Sequence, residues 1–202
     1  MAGPRLLAIL RAAGALAAIV GLPACNKAPA EPDHQAGSEE ASTAVAPLLW
    51  DAPGAWAKLE VRRTGSERAA YRVDTAGDDT EQAQAHVYFY GTGSKGDPAT
   101  NFKAWFDEFD GNVGASAARE TLAPHGLRIE TVEVSGTYKI ALTPTPRGRK
   151  ESPVQMVKKK WRLYGAVVRT PDRGNWFFEL VGPDETVQAA RSAFRAMLES
   201  AR

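Results

Sequence analysis

The chain has 202 residues, with 25 Lys and Arg against 24 Asp and Glu, and one cysteine. A lone cysteine excludes an intramolecular disulfide. A net charge of +1 argues against a general nucleic-acid-binding surface, which needs clustered positive charge.

The first 24 residues have the three parts of an export signal. Arg5 and Arg11 supply positive charge, and no acid precedes Glu31. Ala12 to Leu22 is apolar. A membrane span needs about 20 apolar residues, so this run is too short to be one. Leu22-Pro23-Ala24-Cys25 follows and resembles the lipobox of bacterial lipoproteins. The resemblance implies a diacylglycerol on the Cys25 thiol, cleavage before it, and two or three acyl chains in all. Two chains are enough for stable anchoring. Asn26 stands where Asp would signal inner-membrane retention in some bacteria. The implied location is the cell envelope, at the outer membrane, facing the periplasm or the cell surface.

Residues 25–46 lack aromatics and are rich in Pro, Ala, Ser and Glu. Such a segment buries too little apolar surface to offset its ordering entropy. It reads as a tether, and a flexible chain of about 20 residues averages roughly 25 Å end to end.

Residues 47–202 hold all five tryptophans and read as a single globular domain. Tyr71 to Val73 and Ala85 to Tyr90 are β-prone. The helix expected next starts at Asp97-Pro98, with Asp as N-cap and Pro at the first helical position. Phe102, Trp105, Phe106 and Phe109 make one helical stripe, and Gly111 stops it. Burying that stripe contributes at most roughly 6–12 kcal/mol.

The clearest strand runs from about Glu130 to Leu142. Val132, Val134, Gly136, Tyr138, Ile140 and Leu142 alternate with Thr131, Glu133, Ser135, Thr137 and Lys139. That pattern predicts one buried face, with Gly136 at a bulge or close approach. Leu163 to Arg169 and Asn175 to Val181 form a hairpin, with Pro171, Asp172 and Gly174 in its turn. The last helix opens at Pro183-Asp184-Glu185 and turns Val187, Ala190, Phe194, Met197 and Leu198 inward.

Antiparallel hairpins with helices packed on them predict an α+β fold. Trp56, HVYFYG, NFKAWFDEF, TVEVSGTY, YGAVVRTPDRGNWFFELVGP and AFRAMLES then carry a family resemblance. Over residues 50–200 the chain resembles a family of uncharacterised bacterial lipoproteins. Its layout is similar to the PsbP-like and DcrB-like fold. That resemblance implies an antiparallel sheet between helices, an α/β/α sandwich used by accessory and envelope proteins.

Two features are candidate binding sites. Gly91, Gly93 and Gly96 match G-x-G-x-x-G between a strand and a helix, and Asn101 could line a pocket beside them. A dinucleotide reading fails. The strands look antiparallel, no acid follows at the required distance, and Asp97-Pro98 occupies the place of phosphate donors. The second feature is the stretch from Arg147 to Arg162, with Arg147, Arg149, Lys150, Lys158, Lys159, Lys160 and Arg162 against Glu151. Its plain reading is a solvated loop between strands. Its functional reading is a patch for anionic lipid, an anionic polymer or an acidic envelope protein, with Trp161 at the interface.

Metal and catalytic signals are weak. His86 and His125 lie far apart, without ligand spacing. No G-x-S-x-G elbow occurs, and Asp107 and Glu108 are adjacent on a helix, so they read as solvated surface. The expectation is a non-enzymatic accessory or binding protein without metal, cofactor or nucleic-acid partner. The alternative is an envelope enzyme, a hydrolase whose site the sequence does not reveal.

Overall fold

A computed structural model describes residues 47–62, 64–91, 94–143, 154–170 and 173–202. Cys25, Gly93, Arg147, Arg149 and Lys150 lie outside the described residues. The elements in chain order are β1 (Ala57–Leu59), β2 (Glu67–Val73), β3 (Ala83–Phe89), α1 (Pro98–Asp107), α2 (Val113–Ser116), β4 (Ala118–Leu122), β5 (Arg128–Ala141), β6 (Gln155–Thr170), β7 (Gly174–Pro183) and α3 (Asp184–Glu199).

The strands form one antiparallel sheet in the order β1-β2-β3-β7-β6-β5-β4. Two meanders, β1 to β3 and β4 to β7, therefore meet where β3 pairs with β7. The chain leaves β3 through α1 and α2, crosses one face of the sheet, and re-enters at the far edge as β4. After β7 it returns over the other face as α3. The fold is α+β, an antiparallel sheet with helices on both faces. No helix among the described residues is long and apolar enough to cross a membrane.

Local chemistry starts the first long helix, and a long-range contact starts the last. The Asp97 carboxylate accepts a hydrogen bond from the Thr100 N–H at 2.8 Å, and Pro98 opens α1. Gly111, with φ of 80°, turns the chain after it. Phe109 falls just past the helix and pairs with Tyr138 instead of adding a helical turn. At the start of α3, Asp79 reaches over from the β2–β3 loop. Its carboxylate accepts from the Thr186 N–H at 2.7 Å and from the Thr186 hydroxyl at 2.9 Å. One of the backbone donors that α3 leaves unpaired at its first turn is thus satisfied.

Alternation along the strands sorts side chains into two cores. Ala83, Ala85, Val87, Tyr164, Phe178 and Leu180 pack against Val187, Phe194, Met197 and Leu198 of α3. On the opposite face Val132, Val134, Leu163, Val167 and Phe177 pack against Trp105 and Phe109. The fit of α1 depends on Gly165. A Cβ there would lie 2.4 Å from the Trp105 ring, so glycine lets the indole rest on the sheet backbone.

Three expectations need correcting. The strand read from Glu130 to Leu142 is present, but its apolar face is buried only in its first half. Val132 and Val134 are buried, whereas Leu142 is 57 % exposed. Alternation fixed the face, yet among the described residues no element packs over Leu142. Second, residues 155–162 of the basic stretch belong to β6 rather than a loop. Third, β1, β4 and α2 are elements the sequence pattern did not indicate. They are short, and β4 turns mostly exposed residues to solvent.

Candidate functional site

At the described residues flanking the glycine loop, backbone packs closely. Gly91 has φ of 76°, a left-handed conformation that suits glycine. A Cβ on Gly96 would lie 2.8 Å from the Gly91 carbonyl oxygen, and one on Gly174 would lie 2.5 Å from it. Asn101 donates its amide to the Lys95 and Asp97 carbonyls at 2.9 and 2.8 Å, and Asn175 donates to the Gly96 carbonyl at 2.9 Å. Close backbone packing therefore accounts for Gly91, Gly96 and Asn101 without a ligand.

The basic stretch divides in two. Arg162 is half-buried and held between the Glu133 carboxylate at 2.6 Å and the Asp184 carboxylate at 2.8 Å. Arg191 reaches Glu133 from α3 at 3.0 Å. Lys158 pairs with Glu81, and its ammonium lies 5.9 Å from the centre of the Trp161 ring. Arg162 and Lys158 are thus partly neutralised inside the fold. Lys159 and Lys160 are exposed, with no ion pair among the described residues. Both face Thr137, because the β5–β6 register shifts after Gly136 and sets two residues of β6 against one of β5. Lys160 carries the left-handed backbone of this bulge, at φ of 54°.

A third cluster was not read from the sequence. On the α1 face of the sheet, Glu179 of β7 is 9 % exposed and accepts a hydrogen bond from the Trp105 indole N–H at 3.0 Å. Burial first, then the charge of Glu108, pushes its carboxyl up to about 8. Glu108 is not solvated surface, as the sequence suggested. Its carboxylate accepts from the Tyr138 hydroxyl at 2.9 Å, and burial raises its own titration point. Tyr88 and Tyr138 are held well above the ordinary phenol range, chiefly by burial and then by these carboxylates. His86, directly across from Glu179 in the sheet, lies 2.7 Å from the Glu67 carboxylate and 3.1 Å from the Gln84 amide oxygen. The rings of His86, Tyr88 and Tyr90 then run along β3 in a stack, 5.9 and 6.1 Å apart.

Chemically, this cluster can hold a proton on Glu179 into the neutral range. Perturbed acids mark active sites often enough to be worth testing, but transfer to a substrate needs open approach. The Glu179 side chain is walled by Trp105 and the sheet. The depressions along β4 are separate from it. One of about 210 Å³ is lined by Arg119, Glu120, Glu133, Tyr164 and Arg191. It is smaller than typical small-molecule sites, and its glutamates are ion-paired with arginines. Among the described residues no group of three or more His, Cys, Asp or Glu could hold a metal ion. His125 lies in a tight turn, Pro124–Gly126.

No protein-family model matches the chain, and no curated protein matches it. Among solved structures, a protein of unknown function from Pseudomonas aeruginosa aligns with a TM-score of 0.39 and 12% identity, over 73% of this chain and 96% of that one. The solution structure of cyanobacterial PsbP from Synechocystis aligns with a TM-score of 0.42 and 12% identity, over 80% of this chain and 95% of that one. Superpositions this loose carry neither family membership nor activity over to this chain.

Proposed function

We propose that the protein is an envelope lipoprotein, anchored through acyl chains on Cys25, that works as a non-enzymatic accessory or binding protein. Its contact surface is the far end of the β5–β6 hairpin. One observation carries the binding reading. Large apolar side chains are exposed there beside Lys159 and Lys160, which make no ion pair among the described residues. Contiguous exposed apolar surface is uncommon on a monomer and marks contact sites. The anchor reading is supported by Leu22-Pro23-Ala24-Cys25 after an apolar run. The absence of Asp after the cysteine supports placement at the outer membrane.

A second reading, an envelope hydrolase, would draw on Glu179 as an acid with a proton to give. It is the weaker one, because Glu179 is buried beneath Trp105, whose indole N–H it accepts.

The anchor has a direct test. Metabolic labelling with a radioactive fatty acid marks the protein, and Cys25→Ala removes the label and moves the chain from the detergent to the aqueous phase. Persistent labelling of Cys25→Ala would show that the thiol is not the attachment point. Density-gradient separation of the labelled membranes places the protein with the outer membrane, and recovery with the inner membrane would reverse that placement.

A further inference from the structure

The β5–β6 hairpin outruns both of its neighbours. β4 pairs with β5 only as far as Ala118 opposite Glu133, and β7 pairs with β6 only as far as Pro183 opposite Trp161. Past those points residues 108–110 still line the β5 edge, where Phe109 bridges Tyr138, the Asp110 N–H donates to the Thr137 carbonyl at 2.9 Å and the Lys139 N–H donates to the Glu108 carbonyl at 2.7 Å. Beyond Lys139 the two strands pair only with each other among the described residues, as a ribbon. Tyr138 faces Lys158, Lys139 faces Val157, Ile140 faces Met156 and Ala141 faces Gln155. The Leu142 N–H donates to the Val154 carbonyl at 2.9 Å.

Four of the five large apolar side chains that are exposed among the described residues lie on this ribbon. They are Leu142, Val154 at 48 %, Met156 at 39 % and Val157 at 53 %. Cross-strand partners share a face, so Ile140 and Met156 extend the face that begins with Tyr138. At its root the Tyr138 ring stacks on Trp161 at 5.1 Å and 13°. Val157 points to the other face. The bulge places Lys159 and Lys160 beside this apolar end.

We infer that this ribbon is a bilayer-docking element. Its aliphatic side chains enter the boundary between headgroups and acyl chains of an anionic membrane, and Lys159 and Lys160 meet the lipid phosphates. This rests on reading the hairpin as the contact surface, and it names the partner.

The chemistry favours a bilayer over a protein groove. The large apolar groups exposed on the ribbon among the described residues are all aliphatic and lie on both of its faces, Leu142, Val154 and Met156 on one and Val157 on the other. A bilayer accepts apolar side chains from both faces at once. Free ammonium groups beside them match anionic headgroups.

The test uses the full chain carrying Cys25→Ala, so that no acyl chain contributes. It is sedimented with vesicles of phosphatidylglycerol and phosphatidylcholine, and with phosphatidylcholine alone. Binding to the anionic vesicles is expected, weakening as salt rises. Lys159→Gln with Lys160→Gln should weaken it by tenfold or more, since each lysine near an anionic surface contributes about fivefold. Leu142→Ser, Met156→Ser and Val157→Ser together should also abolish most of the binding. These side chains are exposed, so the variants should keep the circular dichroism and melting behaviour of the parent.

Absence of binding to anionic vesicles, or binding that the variants leave unchanged, overturns the proposal. Binding supplied by the apolar N-terminal run would appear as the second of these. Self-association that the serine variants abolish, without vesicle binding, would assign the ribbon to a second copy and also overturn it. Fatty-acid labelling at Cys25 is independent of all these outcomes. Loss of the anchor reading leaves the vesicle result standing, and failure to dock leaves the anchor standing.

Discussion

Glu179→Gln flattens the dependence of stability on pH across the neutral range. In the parent, the unfolded chain releases this proton near the ordinary value of 4.5, and the folded chain keeps it to about 8. Between those values the native state binds more protons than the unfolded state, so stability falls as pH rises. The contribution is fully present below the unfolded value and is gone once pH passes the folded one. The difference corresponds to about 3–5 kcal/mol. Glu108 is raised as well and adds to the same slope. Glu120 and Glu130 are lowered by their arginine partners. Stability from those two is lost as pH falls through their folded values, below this window. The groups facing Glu179 are Trp105 and Glu108 from the α1 segment, His86 and Tyr88 from β3, and Tyr138 from β5. Gln keeps the volume and the acceptor for Trp105 without a charge to bury. Urea denaturation at a series of pH values should show the variant more stable than the parent above about pH 8 and similar to it near pH 5. Parallel curves for the two proteins would mean that Glu179 titrates normally.

The second large effect comes from the other end of the same hydrogen bond. Trp105→Ala removes a buried indole that fills the space above Gly165 and contacts Phe102 and Phe177. Truncating a buried aromatic to Ala costs about 3–5 kcal/mol. Trp105→Phe separates packing from hydrogen bonding. It keeps most of the ring but leaves Glu179 without its donor. A cost of about 1–3 kcal/mol is expected for that unsatisfied group. Because the indole N–H stabilises the carboxylate, its loss also moves the Glu179 titration upward. A double-mutant cycle of Trp105→Phe with Glu179→Gln measures the coupling. A coupling near zero would contradict the bond.

Much of this architecture was legible in the sequence because it is written locally. Asp97-Pro98 announced the first long helix through capping chemistry, and the acids of Pro183-Asp184-Glu185 marked the start of the last, whose capping bond comes from distant Asp79. The alternation from Val132 onward gave a strand and its inward face, and Gly136 correctly flagged irregular pairing, although the extra residue lies on β6. What escaped depends on contacts between distant residues. Glu108 looked solvated beside Asp107, and only Tyr138, thirty positions away, draws it inward. Glu179 carried a faint signal, a single acid between Phe177 and Val181 on one face of an apolar strand. Its burial becomes apparent only once α1 lies over Gly165. Composition identified the basic stretch but not its division. The acids that pair with Lys158 and Arg162 come from Glu81, Glu133 and Asp184, in three separate parts of the chain. The short edge strand β4 has no apolar alternation to betray it.

The claim that the hairpin end is the working surface is tested most directly by photocrosslinking in native membranes. A photoreactive amino acid is placed at Met156 or Val157, both exposed on the ribbon, and at Arg195 on the α3 face as a control. Adducts are expected from the ribbon positions and not from Arg195, and lipid in those adducts is the product that a docking ribbon gives. Adducts to a protein would retain the hairpin as the contact surface but replace the bilayer as its partner. Crosslinking that is equal at all three positions, or absent from the ribbon, would contradict the account.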